Sequence, residues 1–531
     1  MKIIGYEKRK NRELFKSFKN LKTLDIKEIQ NYIPIYNKFF NFDKTQEINL
    51  DNYNFISSIK DDLESDEDED EFPEKIFNVE IKNKNETFQK KSFLKLMPVI
   101  EASQFLTGKY KLSDEDFYKL PNIENTGHAD FYDTNNISYV DSMFSFLSSK
   151  LLHTYHFENA LDYYGSFLSI IDNFRLDISD DIEYYIDSDF FVKNKNKLFR
   201  IENDILNPPL TFEDTDEIIQ YDSLETLETL EKIPEVNLEV NEDSIVLKSI
   251  QDTDSDSASS SSSHTDSEDG SENSEDCKSD CESSSDSSME EVNVIFNKYL
   301  VQITCLEYCV DTLDALILTN NLKSEDEWLS CLFQIIMTLI VFQDTFSFTH
   351  NDLHTNNIMY VRTEKEFLFY CYRGVYYKIP TFGRIFKIID FGRSIYKVNG
   401  QLCCSNSFRP SGDASTQYNC EPYFDPNKKR IDPNFSFDLC RLACSIWDNI
   451  DHKNEKTGVT KIIDDWCKDD KGINVLYKRN GEERYPNFKL YKMIARTVHN
   501  HTPHNQLSRP EFSKFITTPT NAIMLDEIPV C

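Results

Sequence analysis

Glycine is scarce in this chain of 531 residues, which contains only 13, and none lies between Gly5 and Gly108. That stretch therefore lacks the residue that lets a backbone loop approach a ligand closely. Positive charge is also in short supply, because 58 Lys and Arg face 92 Asp and Glu and leave a net charge of −34. Such an excess of acid argues against binding to the phosphates of nucleic acid.

The 13 cysteines form no paired C-x-x-C knuckles, which argues against a zinc-binding module. The opening stretch "MKIIGYEKRKNRELF" is too polar for a secretory signal, and no run of 18 apolar residues exists. The longest apolar run, "CLFQIIMTLIVF", fits a buried helix better than a membrane span. We therefore expect an intracellular protein with reduced thiols and without a transmembrane segment.

Aromatic residues are abundant at 13%, so the chain can form a sizeable core over two to four units of roughly 150 residues. Two segments interrupt the globular pattern: an acidic run at 61–74 and a Ser/Asp/Glu-rich tract at 251–291. The tract has too few apolar residues to bury and should be disordered. Its serines often precede acids, which suits an acid-directed kinase, although a solvated linker is the simpler interpretation.

Hydrophobic periodicity predicts a mixture of strands and helices on both sides of the tract. Before it we expect a hairpin at 75–99 turning at Asn83–Asn85, a helix at 135–157 and a strand at "DYYGSFLSII". After it we expect a strand at 298–309 and a helix at 324–345 with Ser324 as N-cap. Strands at "IMYV" and "RIFKIID" flank an aromatic hairpin, and helices follow from 435. Residues 1–45 look helical and charged.

Two short motifs carry the chemistry. His350, Asn351 and Asp352, followed by Asn357, fit H-x-D-x-x-x-x-N, and a strand-like run leads into D-F-G at Asp390. Phosphoryl transfer needs a carboxylate that orients the attacking hydroxyl, and acid or amide groups that hold Mg²⁺ over the phosphates of ATP. Each motif alone is weak, and turns also favour Asn and Asp. The order helix, loop, strand and then strand with D-F-G is the context that the motifs require.

At these motifs the chain resembles the protein-kinase superfamily, and it is most similar to the serine/threonine-kinase-like proteins of large nucleocytoplasmic DNA viruses of the mimivirus type. The stretches "HNDLHTNNIMYV", "KIIDFGRSIY", "STQYNCEPYF" and "SFDLCRLACSIWD" carry the resemblance. It implies an α+β, bilobal kinase-like fold. Residues 1–45 would be an extension, 46–309 a β-rich N-lobe containing the acidic insertion, and 310–531 a mostly helical C-lobe.

The resemblance also implies roles for individual residues. Asp352 would be the catalytic carboxylate, Asn357 and Asp390 the Mg²⁺ ligands, and His350 a structural residue. Asp438 would brace the loop around Asp352 through its backbone.

For ATP, the resemblance makes Lys95 the lysine that contacts the α- and β-phosphates, with Lys90 and Lys91 as neighbouring competitors. Its partner would be Asp141, although the family has Glu there and a surface aspartate is an equal alternative. The adenine would meet the backbone of a hinge from Glu307 to Cys309.

Two further charges are expected to pair in the C-terminal part. Glu421 looks like the glutamate that closes the activation segment, and Arg509 looks like the late arginine that pairs with it in a buried fork. If so, Arg509→Ala would reduce stability more than chemistry.

Three features depart from the family pattern. No glycine-rich loop precedes Lys95, and the acidic run at 61–74 stands in its place. Asn351 replaces the arginine that usually holds a phosphorylated activation loop, so we expect activation without such a phosphate. His354 replaces the usual lysine, which also fits small-molecule phosphotransferases of the aminoglycoside and choline type.

The sequence thus predicts an ATP- and Mg²⁺-dependent serine/threonine protein kinase with protein substrates as partners. The two alternatives are a small-molecule phosphotransferase of kinase-like fold and a degenerate kinase that serves as a binding scaffold. The resemblance places the protein in host cytoplasm or virion. The serine-rich tract is a candidate autophosphorylation target, and the substrate is not identified.

Overall fold

The computed structural model describes residues 4–41, 47–60, 75–110, 118–124, 128–179, 182–202, 292–450 and 457–531. The acidic run at 61–74 and the serine-rich tract at 251–291 therefore lie outside the described residues. The strands in chain order are β1 (Tyr6–Lys8), β2 (Asp25–Gln30), β3 (Ile48–Leu50), β4 (Phe55–Lys60), β5 (Ile76–Lys82), β6 (Thr87–Pro98), β7 (Tyr163–Asp177), β8 (Phe199–Ile201), β9 (Asn293–Glu307), β10 (Asp311–Thr312), β11 (Ile358–Arg362), β12 (Phe367–Tyr372), β13 (Val375–Pro380), β14 (Arg384–Ile388), β15 (Ile395–Val398), β16 (Gln401–Cys404), β17 (Ile516–Thr517) and β18 (Ile523–Met524). The α-helices are α1 (Arg12–Lys19), α2 (Ala102–Leu106), α3 (Ile137–Tyr155), α4 (Ile182–Ile186), α5 (Asp189–Asn194), α6 (Leu313–Leu318), α7 (Glu325–Phe346), α8 (Phe437–Ile446), α9 (Gly458–Trp466), α10 (Lys489–Thr497) and α11 (Pro503–Gln506).

The largest sheet has the strand order β2-β7-β9-β6-β5-β4, and β8 also pairs with β9. All of these pairings are antiparallel. The first nine residues of β7 are all buried, which explains why its sequence, "YYGSFLSII", contains no charged residue and no apolar-polar alternation. The predicted hairpin is β5 and β6, and the side chain of Asn83 caps its turn by accepting backbone N–H groups from Asn85 and Glu86.

Residues 1–45 were expected to be helical, and the structure corrects this. Among the described residues 4–41, only Arg12–Lys19 forms an α-helix, while Tyr6–Lys8 and Asp25–Gln30 are strands and Pro34–Lys38 is a 3₁₀ turn. Strand β2 pairs with β7, so this segment is a part of the main sheet. The stretch "DIKEIQ" shows no strand alternation, because Ile26 and Ile29 are three residues apart and the register shifts between Ile26 and Glu28.

Helix α3 packs against β7 and β9 of the main sheet. It begins where predicted, with the side chain of Asn136 accepting a hydrogen bond from the Ser138 N–H. Thirteen of its 19 residues are buried, Asp141 and five serines included, where the sheet and a 3₁₀ turn pack against the helix. This burial holds the Asp141 side chain in place.

Helix α7 is the longest helix among the described residues, and Ser324 caps it by accepting a hydrogen bond from the Glu327 N–H at 3.2 Å. Three acids occupy its first turn, where the helix dipole favours negative charge. By length and apolar composition it could cross a membrane, yet 94% of its most apolar window is buried against other described residues. Burial of this kind is typical of a core helix.

The remaining elements follow α6 and α7. Strand β11 pairs with β10 and β14, β12 and β13 form the predicted aromatic hairpin, and β15 pairs with β16. The region from 435 onward contains α8 to α11 as expected, together with the short strands β17 and β18. The described chain is thus a mixed α and β structure with several antiparallel sheets, compatible with the α+β class.

Candidate active site

A cleft of about 710 Å³ lies beside the chain that leaves β9, and such a volume suits a small-molecule ligand. Apolar side chains, three lysines and three acidic residues, Glu307, Asp311 and Asp390, line it. The lining includes Lys75, Ile76, Lys91, Phe93, Lys95, Leu161, Leu306, Glu307, Tyr308, Cys309, Met359, Ile389 and Asp390. Four residues that the sequence singled out, Lys95, Glu307, Cys309 and Asp390, therefore share one cavity.

Lys95 lies on β6 and contacts two carboxylates. Its Nζ is 2.7 Å from Oδ1 of Asp141 on α3 and 2.9 Å from Oδ1 of Asp390. The same Asp141 oxygen accepts the backbone N–H of Phe391 at 2.7 Å, so the D-F-G segment and α3 are joined at one atom. The contact between Lys95 and Asp141 is the one expected from the sequence. The competing Lys90 lies instead 3.7 Å from Glu307.

Burial and charge act in opposite directions on these three groups. Burial alone would lower the pKa of Lys95, but Asp141 and Asp390 raise it above its ordinary value. Partial burial would raise the pKa of Asp390, yet the Lys95 ammonium and its hydrogen bond hold it at about 2. Burial raises the pKa of Asp141 despite the lysine, and the charge on Asp390 adds to this effect. The cleft therefore presents an ionised Asp390 and a charged Lys95.

Asp438 on α8 holds the backbone of the loop at 349–357. Its completely buried carboxylate accepts the backbone N–H groups of His350 and Asn351, both at 2.9 Å. His350 in turn places its Nε2 at 2.9 Å from the carbonyl oxygen of Ile389, next to Asp390. Asp438 and His350 thus contact the backbone on either side of the site, Asp438 at 350–351 and His350 at 389.

Asn351 adopts a left-handed backbone conformation with φ of 66°. Its side-chain amide donates to the carbonyl oxygens of Thr349 and Arg393, and its amide oxygen accepts the hydroxyl of Tyr418 at 2.8 Å. Asn tolerates this conformation better than most residues. The residue that replaces the usual arginine thus connects three segments through neutral hydrogen bonds.

Asp352 and Asn357 occupy the same loop. The side-chain amide of Asn357 donates to the backbone carbonyl of Asp352 at 2.9 Å, and the backbone N–H of Ile389 donates to the Asn357 carbonyl at 3.0 Å. Since Ile358 pairs with Ile388 across β11 and β14, Asn357 and Asp390 lie at the same edge of that sheet. Among the described residues, no group of three or more His, Cys, Asp or Glu side chains could hold a metal ion.

The segment expected to meet adenine leaves β9 at Glu307. The Glu307 carboxylate lies 3.0 Å from Nζ of Lys387, and both side chains are largely buried. Its backbone N–H donates to the Asp162 carbonyl, and the Val310 N–H donates to Tyr360. The Glu307 carboxylate is thus engaged by Lys387, by the more distant Lys90 and by the Asp162 N–H. Burial raises the pKa of Cys309 to about 12, which keeps its thiol protonated.

The expected fork between Glu421 and Arg509 is wrong. Glu421 is exposed and pairs with Arg430, whose Nη2 lies 2.6 Å from Oε2 and whose Nη1 lies 3.0 Å from Oε1 of the glutamate. Arg509 lies 2.7 Å from Asp465 at the end of α9 and 3.5 Å from Glu511. Glu421 and Arg509 therefore each pair with a different charged residue. The sequence contains many charged residues, and it does not show which of them lies nearest to each of these two in the fold.

Several contacts of the site were not foreseen. The hydroxyl of Tyr491 donates to Oδ1 of Asp352 at 2.6 Å, and Nη1 of Arg393 lies 3.4 Å from Oδ2. Arg393 directly follows the D-F-G motif, so its position was a readable signal. Tyr491 lies 139 residues away in a helix with no motif, and no pattern in the sequence indicated it.

No protein-family model matches the chain. Over 203 residues it is 28% identical to a protein of Acanthamoeba polyphaga mimivirus that is provisionally named a serine/threonine-protein kinase. The similarity covers 36% of this chain and 48% of that protein, so the chain spans about half the length of the curated relative it matches. The comparison supports a distant, kinase-like relationship over part of the chain and a phosphotransferase at most.

Proposed function

We propose that this protein is a serine/threonine protein kinase that transfers the γ-phosphate of ATP to protein hydroxyls. The observation that carries the proposal is the convergence of Asp141 and Asp390 on Lys95, whose Nζ lies within 3 Å of both carboxylates at the end of the cleft. The loop of Asp352 and Asn357, braced by Asp438, adjoins it. A bilobal arrangement, with the main sheet above and the helices from α7 onward below the cleft, is part of this proposal.

ATP would lie in the cleft with its adenine between apolar side chains such as Phe93 and Met359. The hinge from Glu307 to Cys309 would offer backbone groups to its edge. Lys95 would contact the α- and β-phosphates, and Lys75 and Lys91 also line the cleft. These lysines would supply positive charge where the missing glycine-rich loop usually supplies backbone N–H groups.

Mg²⁺ fits the residues present. Asp390 is ionised and its side chain is 47% exposed, and the Asn357 amide oxygen accepts no hydrogen bond from the described residues. Mg²⁺ prefers oxygen ligands and is usually held by one or two protein groups together with substrate phosphates. When bound, it would neutralise charge that develops on the transferred phosphate. Asp352 would orient the acceptor hydroxyl and take its proton.

The test is incubation of wild type and Asp352→Asn with labelled ATP, Mg²⁺ and a mixed protein substrate. We expect label on protein with wild type and at least a hundredfold less with Asp352→Asn, because a positioned general base contributes about 10²–10⁴ in rate. Thermal stabilisation by ATP should survive the substitution, since Asp352 does not line the cleft. Absence of both transfer and stabilisation by ATP at millimolar concentration would favour a binding scaffold instead.

A small-molecule phosphotransferase is the second candidate, and the missing pair between Glu421 and Arg509 favours it. Glu421 and Arg509 were two of the three C-terminal residues, with Asp438, whose order along the chain favoured a protein kinase over this candidate. Transfer to metabolites without transfer to protein, lost in Asp352→Asn, would decide for this candidate.

A further inference from the structure

Both carboxylate oxygens of Asp352 already have partners. The Tyr491 hydroxyl donates to Oδ1 at 2.6 Å, while the Arg393 guanidinium faces Oδ2 at 3.4 Å. The Asp352 side chain is 23% exposed. An acceptor hydroxyl that binds Asp352 must donate a hydrogen bond of the same kind that Tyr491 donates. An acceptor hydroxyl must therefore approach a carboxylate whose two oxygens already have partners.

Tyr491 is held in this place by contacts on several sides. The Arg441 guanidinium lies 5.0 Å from the centre of its ring, the Arg393 guanidinium lies 6.0 Å from it, and Phe488 stacks on it at 5.2 Å. A cation at such a distance is attracted to the face of an aromatic ring. The contact with Asp352 thus belongs to an ordered cluster and does not depend on one mobile side chain.

Helix α10, which carries Tyr491, also contacts the segment that follows D-F-G. Nη2 of Arg496 donates to the Thr416 carbonyl at 3.0 Å, and Nη1 lies 3.5 Å from the Gln417 carbonyl. The neighbouring Tyr418 is the residue bonded to Asn351 beside Asp352. The helix is therefore bonded both to Asp352, through Tyr491, and to the segment at 416–417, through Arg496.

We propose that Tyr491 occupies the acceptor-hydroxyl position on Asp352, so that α10 closes the site to protein acceptors until it moves. This inference rests on the proposed function, because it gives Asp352 the role of receiving the acceptor proton. ATP binding does not require the movement, since neither Tyr491 nor Asp352 lines the cleft. Closure therefore acts on the acceptor and leaves the nucleotide unaffected.

Two substitutions test the closure, and a third serves as control. Tyr491→Phe removes the hydroxyl and keeps the ring, and Arg496→Gln loosens α10 without touching Asp352. Tyr477→Phe removes a similar bond, from a tyrosine hydroxyl to Asp448 at 2.9 Å, at an exposed place away from the cleft. Each is compared with wild type in label transfer from ATP to the mixed protein substrate, with thermal stabilisation by ATP measured in parallel.

We expect Tyr491→Phe to raise kcat/KM for protein acceptors about tenfold, and Arg496→Gln to raise it in the same direction. Tyr477→Phe should leave it unchanged, and stabilisation by ATP should be equal in all four proteins. If wild type transfers label and Asp352→Asn does not, but Tyr491→Phe is no faster than wild type, the closure alone is overturned. If Asp352→Asn lowers transfer neither in wild type nor in the Tyr491→Phe background, the proposed function is overturned and the closure with it.

Discussion

Asp438 offers the sharpest test of how the loop around Asp352 is held. Its carboxylate is completely buried and accepts two backbone N–H groups at 2.9 Å. Asp438→Asn keeps the shape of the side chain but replaces one acceptor oxygen with an NH₂ group. One backbone N–H, of His350 or Asn351, then faces a donor and loses its partner.

The magnitude follows from these two bonds. A hydrogen bond to a charged group contributes about 1.5–3 kcal/mol, and a buried donor left without a partner costs about 1–3 kcal/mol. Part of this is offset, because burial raises the pKa of Asp438 and the substitution removes a buried carboxylate. We expect the free energy of unfolding to fall by about 2 kcal/mol. Asn351 is held in a left-handed conformation, so the loop should also relax.

The assay is urea-induced unfolding together with amide hydrogen exchange of residues 350 and 351. The matched control is Asp425→Asn, since Asp425 also accepts a backbone N–H, from Asn427 at 3.0 Å, but in an exposed turn. We expect the control to change the free energy of unfolding by less than about 0.5 kcal/mol. If Asp438→Asn behaved like the control, and exchange at 350 and 351 stayed slow, the bracing role of Asp438 would be refuted.

Three further predictions concern charges and the N-terminal segment. Arg509→Ala should lower the free energy of unfolding by about 1–3 kcal/mol, because Arg509 is largely buried beside Asp465 and Glu511. Glu421→Gln should leave the free energy of unfolding unchanged, because Glu421 is exposed at the surface. Any coupling energy between the two substitutions in a double-mutant cycle would contradict the separate pairs observed. The two carboxylates raise the pKa of Lys95, so its stabilising charge is complete below the pKa of an ordinary lysine and is lost only as pH rises above the raised value. Asp141→Asn should therefore lower the pKa of Lys95 and speed its acetylation at pH 9. The rate is measured by peptide mass spectrometry relative to the acetylation rate of Lys82 in the same protein, and an unchanged relative rate would count against the ion pair. Nζ of Lys38 donates to the side chain of Asn135, just before α3, and to the Leu402 carbonyl at 3.2 Å. Lys38→Met should therefore speed amide hydrogen exchange at the start of α3. Unchanged exchange there would contradict a role of Lys38 in holding the start of the helix.

Much of the architecture could be predicted from local pattern. Caps at Asn136 and Ser324, the turn at Asn83, the uncharged start of β7 and the apolar run of α7 are local features, and each element formed where its pattern indicated. Residues 1–45 were misjudged, because β2 is stabilised by pairing with β7, more than a hundred residues away. Strands depend on such distant partners more than helices do.

The sequence by itself determined which groups are available for chemistry: Lys95, Asp352, Asn357 and Asp390 stand in motifs whose spacing follows from adjacent strands and loops. Only the tertiary structure decided the partners of the charged groups. It joined Asp141 to Lys95, gave Arg430 to Glu421 and Asp465 to Arg509, and brought Tyr491 onto Asp352. The physical reason is range, because periodicity and capping act over a few residues, whereas an ion pair or a hydrogen bond needs only proximity in space and is indifferent to separation along the chain.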